Sequence, residues 1–188
     1  MQIRKATAGD VPGVVKIYEE LLDAQDAGRR TIGWVRGVYP TAETARAALA
    51  RGDLFVLEDG EILAAAIINQ RQVDAYYGAP WEYEAADEQV CVLHTLVVSP
   101  RASGRGYGPR FVAFYEDYAR AMGCPELRMD TNARNLRARA MYRGLGYTET
   151  AIVPTVFNGI PGVDLVLLEK NLAAPAGPDE QSGAGGPL

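Results

Sequence analysis

The chain has 188 residues, 48% apolar and 23% charged, with a formal net charge of −5. That length suits one domain with its own core and is too short for two comfortable ones. The mild acidity argues against a general nucleic-acid binder, which needs a basic balance to attract phosphates. The first residues, MQIRKATAGD, lack the apolar core of a signal peptide, and the apolar run at 62–68 is far too short for a membrane span. The expectation is a soluble cytoplasmic protein with neither membrane nor nucleic acid as a partner.

Along the chain, residues 2–6 can form a short first strand. Asp10 offers an N-cap with Pro12 in the first turn, and Val11, Val14, Tyr18, Leu21 and Leu22 share one helical face. This predicts a helix to about Ala27, stopped by Gly28. Thr41 starts a second, Ala-rich helix that ends at Gly52. Residues 54–57 and 62–69 flank Glu58-Asp59-Gly60-Glu61, a hairpin with an Asp-Gly turn.

The connection over 70–89 is long, polar and aromatic, with Tyr76, Tyr77, Trp81 and Tyr83. Such lengths inside a domain mark function or disorder, and the aromatics disfavour disorder. Residues 90–98 are almost continuously apolar, the pattern of a central strand covered on both faces. After a Gly-rich turn and Pro109, residues Phe111, Phe114, Tyr115, Tyr118 and Met122 predict an amphipathic helix closed by Gly123. Residues 126–131 read as a strand and 134–145 as a helix ended by Gly146. Residues 147–156 and 163–170 can pair around a turn at 158–162. Residues 173–188, rich in Ala, Pro, Gly and Ser, read as a disordered tail after a domain over 1–172. Alternating strands and helices make the class mixed α/β.

Charge is unevenly spread. No Lys or Arg occurs from 72 to 100, where Asp74, Glu82, Glu84, Asp87 and Glu88 fall, whereas arginines crowd from Arg101 to Arg143. That division suits an amine on one side and an anionic cofactor on the other, or is simply scattered surface charge. Cys91 and Cys124 have no metal-ligand spacing and read as reduced, buried thiols. No metal is expected.

Ser103-Gly104-Arg105-Gly106-Tyr107-Gly108 lies between the central strand and a helix. Glycines at alternate positions let the backbone turn tightly and expose successive N–H donors. With the following helix N-terminus they form an anion site suited to a diphosphate. A dinucleotide fingerprint fails because its third glycine position holds Pro109, and a Walker A loop fails because Gly-Pro-Arg ends the run.

Val98-Ser99-Pro100 followed by this loop resembles the pyrophosphate loop of the GCN5-related N-acetyltransferase (GNAT) superfamily, Gln/Arg-x-x-Gly-x-Gly/Ala. Ser103 stands where Gln or Arg is usual. A second block, Asn135-x-x-Ala138-x-x-x-Tyr142-x-x-x-Gly146-Tyr147, matches the superfamily's next motif in spacing and order. Asn135, Ala138 and Tyr142 fall on one helix face. The resemblance implies a single-domain, mixed, mostly antiparallel sheet of about six to seven strands with about four helices and a splay between the fourth and fifth strands.

The resemblance further implies that acetyl-coenzyme A (acetyl-CoA) donates an acetyl group to a primary amine of a small molecule or amino acid by direct attack in a ternary complex. Leu96, Val97 and Val98 would bind the pantetheine arm. Ser103, Gly104, Arg105, Gly106, Tyr107 and Gly108, with Asn135 and Ala138, would hold the rest. Tyr142 would contact the cofactor and protonate the departing thiolate. His94, on the central strand, is either the general base or a hydrogen-bonded core histidine; Glu88 or Glu82 acting through water is another option. The acceptor side is expected to involve Trp34, Arg36, Tyr39, Tyr77, Trp81, Glu88 and Asn158. Trp34 and Tyr39 can equally be a hydrophobic anchor. A homodimer is allowed. The competing reading is a catalytically silent acyl-CoA-binding sensor or interaction module.

Overall fold

The computed structural model describes residues 1–173, so all but the first residue of the expected tail lies outside the described residues. Seven strands form one sheet: β1 (Gln2–Lys5), β2 (Leu54–Glu58), β3 (Ile62–Asn69), β4 (Val90–Val98), β5 (Glu126–Asn132), β6 (Thr148–Phe157) and β7 (Ile160–Asn171). Their order is β1-β2-β3-β4-β5-β7-β6, and only the β4–β5 pair is parallel. The helices are α1 (Val11–Asp26), α2 (Ala42–Arg51), α3 (Tyr107–Ala121) and α4 (Leu136–Gly144).

Local signals decide most boundaries, and the differences have physical causes. Asp10 is the N-cap residue of α1, with Pro12 in the first turn, but its side chain makes no capping bond. It lies in a short 3₁₀ turn, where its carboxylate accepts from the Thr7 N–H and hydroxyl and from the Arg4 guanidinium. Thr41 caps α2 and Gly52 ends it in the left-handed region (φ 76°). Helix α3 starts two residues before Pro109 and ends before Met122, which is 44% exposed and no part of the core stripe. The β6–β7 turn is just Asn158-Gly159, with φ of 51° and 78°, rather than the five residues expected; a two-residue loop with both centres left-handed matches strand twist.

Helices α1 and α2 pack Val14, Ile17, Tyr18, Ala45 and Ala48 against Leu54, Val56, Ala65 and Val97. Phe111, Val112, Tyr115 and Ala119 of α3, with Tyr142 of α4, cover Leu57, Ala64, Ala66, Leu93, Leu127 and Met129 in a second cluster. The 70–89 connection is ordered and roofs a third cluster of Tyr76, Val90, Val92, Leu165 and Leu167. Glu169 accepts the backbone N–H groups of Glu82 (2.8 Å) and Tyr83 (3.4 Å), and Arg128 donates to the Tyr83 carbonyl and Gln72 side chain.

Two features of β4 shape the site. It pairs with β5 only from Val90–Leu93 against residues 126–129, after which β4 stays with β3 and β5 with β7. The two strands therefore splay. In addition, Thr95 and Leu96 face a single residue of β3, and Thr95 has φ 51°. Such a bulge re-aims the following side chains and leaves part of the ladder unpaired.

Candidate active site

The splay opens a cavity of about 840 Å³. One end is the glycine loop. Gly104 and Gly106 have φ of 84° and 76°, and a Cβ on either would meet nothing within 4 Å, so the loop presents bare backbone to the cavity. At Gly108 the reason for glycine is different: a Cβ would stand 2.9 Å from Met141 Sδ, so glycine lets α3 and α4 approach closely. Leu96, Val98, Ser103, Tyr107, Asn135, Ala138 and Tyr142 also line the cavity. Asn135 owes its position to capping, since its side-chain oxygen accepts the Ala138 N–H that opens α4. Uncrowded backbone donors beside an apolar channel fit a diphosphate with a thioester arm.

Val97 points away, buried in the cluster under α1 and α2, so only its backbone is available to a ligand. Arg105 is exposed at the loop tip and is not among the lining residues.

Tyr142 is 6% exposed. Burial raises its phenol well above the ordinary value, and the nearby Asp130 carboxylate adds to the shift. No hydrogen bond to its hydroxyl occurs among the described residues, leaving that proton available to whatever fills the cavity. Asp130, at the splayed end of β5, lines the same cavity and accepts a 2.7 Å hydrogen bond from the Tyr76 hydroxyl. Burial pushes its carboxyl up to about 7 against the lowering effect of that bond. Sequence reasoning missed Asp130. The available signal was alternation: Leu127 and Met129 face the α3 side, which turns Arg128 and Asp130 the other way in a central strand.

His94 also lines the cavity, with Nε2 3.1 Å from Asn69 Oδ1. Burial pulls its pKa down to about 4, and Arg51 and Arg71 add repulsion against the opposing effects of the Arg71 backbone and Asp53. At neutral pH it is an uncharged, weakly basic ring tied to β3.

The expected acceptor residues divide. Trp34, Tyr39 and Asn158 line the cavity, and the Tyr39 hydroxyl bonds Thr95 Oγ1. The Trp34 and Tyr39 rings meet edge to face at 6.1 Å, so anchoring and lining coincide. Arg36 does not reach the cavity; it is held on α1 by Glu19, Asp23 and Asp26. Tyr77 and Trp81 border a separate depression, where Trp81 stacks on Arg128 at 4.3 Å. Glu88 is exposed and lines neither, because the 70–89 connection folds over β5 and β7 and turns its acidic residues outward. The connection instead sends Arg71, Gln72 and Val73 to the cavity and the Tyr76 hydroxyl to Asp130.

The model of the acetyltransferase (GNAT) family matches residues 16–147. The chain belongs to this family. The aminoglycoside N(6′)-acetyltransferase type 1 of Serratia marcescens is 33% identical over 61 residues, 32% of this chain and 42% of that one. The uncharacterised N-acetyltransferase YhfO of Bacillus subtilis is 34% identical over 62 residues, 33% of this chain and again 42% of its own. The matched stretch is thus well under half of each relative. A GNAT-family acetyltransferase from Streptococcus agalactiae superposes with a TM-score of 0.74 at 22% identity, covering 90% of this chain and 94% of that one. YncA of Salmonella typhimurium, solved with its cofactor acetyl-CoA, gives 0.66 at 20% identity, with 96% and 98% covered. These likenesses bear out the GNAT fold, and the short β4–β5 pairing supplies the expected splay.

Proposed function

We propose that this GNAT protein transfers the acetyl group of acetyl-CoA to a primary amine, with Tyr142 as general acid and Asp130 as general base. The observation that carries the assignment is that both groups line one cavity, close enough for charge on Asp130 to shift Tyr142, beside the bare glycine loop. Bound acetyl-CoA would supply the thioester. The amine nitrogen forms a C–N bond to the acetyl carbon as the C–S bond breaks. Its proton goes to the Asp130 carboxylate, and the Tyr142 hydroxyl proton goes to the thiolate. The ladder disruption at Thr95 and Leu96 supports a backbone N–H as donor to the developing oxyanion. His94 then orients the β3–β4 wall through Asn69 rather than taking a proton.

The acceptor end favours an amine that also carries a carboxylate. Arg51 and Arg71 line it, and Arg71 makes no ion pair among the described residues, while Asp130 is the one acidic lining residue. An amino acid would place its free amino group by Asp130 and its carboxylate by the arginines. The test is thiol release from acetyl-CoA across paired amino acids and their decarboxylated amines. Turnover favouring the amino acids is expected. CoA binding without turnover on any amine would favour the sensor reading and overturn this one.

A further inference from the structure

Ser103 leaves the glycine loop without the Gln or Arg usual at its start, yet two guanidinium groups converge on that place. Arg30, just beyond α1, donates from Nη2 to Ser103 Oγ at 3.0 Å, and Arg137, in the first turn of α4, donates from Nη2 to the same oxygen at 2.8 Å. Two donors on one oxygen lie less than about 6 Å apart, where like charges repel. Neither arginine makes an ion pair with a carboxylate among the described residues. Burial, followed by the charge of Arg137, lowers the pKa of Arg30, as expected for a cation held beside another without a counter-ion. Both line the cavity next to Gly104 and Gly106.

Arg30 is not there by chance of a floppy side chain. The segment after α1 is fixed by Gln25, whose side chain accepts the N–H groups of Ile32 (3.2 Å) and Gly33 (2.7 Å) and donates to the Trp34 carbonyl (2.7 Å). Gly33 has φ 85°, and a Cβ there would collide with the side-chain amide of Asn132 on β5. The segment therefore crosses the mouth of the splay as a strap, carrying Arg30 to the loop from the far side.

We propose that Arg30 and Arg137 form a two-guanidinium clamp on a phosphate group of CoA, supplying from the strap and from α4 the side-chain contact that Ser103 cannot make. The clamp rests on the acetyl-CoA reading above, and binding alone tests it. Calorimetric titration of the full chain would use CoA, 3′-dephospho-CoA and pantetheine, for the wild type, Arg30→Ala, Arg137→Ala and Arg30→Ala with Ser103→Arg. Each single substitution should weaken CoA binding roughly 10–100-fold, as for a lost charged hydrogen bond, and leave pantetheine unchanged. Ser103→Arg should restore much of the loss in the Arg30→Ala background. A penalty retained with 3′-dephospho-CoA assigns the clamp to the diphosphate; a penalty that vanishes assigns it to the 3′-phosphate. Unchanged CoA affinity, or an equal loss for pantetheine, would overturn the clamp. A wild type that binds no CoA would overturn the acetyl-CoA reading itself.

Discussion

Asp130→Asn isolates the proposed base with little change in shape, because the Asn side-chain oxygen can still accept the Tyr76 hydroxyl. With its carboxyl pushed up to about 7, the wild type has roughly one tenth of Asp130 ionised at pH 6 and nine tenths at pH 8. Wild-type kcat/KM should therefore rise about tenfold over that interval, on top of any rise set by the acceptor's own amine. The variant should lose about 10²–10⁴ in rate, keep CoA affinity, and lack the inflection near 7. Stability gives an independent reading. A carboxyl raised in the folded state stabilises below its ordinary range and loses that contribution as pH rises through about 7. Asp130→Asn should remove that loss, so its melting temperature should gain on the wild type between pH 5 and pH 8. An inflection near 7 that survives in the variant would refute the role of Asp130.

Tyr142→Phe should retain CoA binding and lower kcat by about 10²–10⁴, measured by thiol release; unchanged turnover would remove Tyr142 as acid. His94→Gln should cost less than about tenfold and leave the pH profile unmoved, whereas loss of the inflection near 7 would return the base role to His94. On β5 and β7, burial and the neighbouring Glu169 push Glu126 up to about 8. The contribution of this raised carboxyl is lost as pH rises through about 8, so Glu126→Gln should flatten thermal melts between pH 7 and pH 9. An identical decline in wild type and variant would contradict it.

The later half of the fold was legible because its signals are local. Alternate glycines, the Asn135 to Tyr142 spacing and the apolar run of β4 each act within a few residues and led to the loop, α4 and the central strand. Details failed where a competing contact won: Asp10 marks the start of α1 as expected, but its side chain serves Arg4 and Thr7, and the β6–β7 turn needs just two left-handed residues. The acceptor side was less legible, because its composition depends on how the 70–89 connection lies. Glu169 and Arg128, far along the chain, hold that connection so that Trp81 stacks on Arg128 and Tyr76 reaches Asp130. Arg36 shows the same problem in reverse. It is expected on the acceptor side, but three acids on α1 hold it away from the cavity. Asp130 and Arg30 lacked any local motif; only the splay and the strap bring them to the cavity.

The most direct measurement is mass spectrometry of an amino-acid acceptor after incubation with acetyl-CoA, for the wild type, Asp130→Asn and Tyr142→Phe at pH 8. Acetyl transfer to the acceptor's amine by the wild type, with both variants binding CoA yet depleted in product, is the expected result. Unmodified acceptors across the whole panel, or full product from both variants, would contradict the proposed transfer through Asp130 and Tyr142.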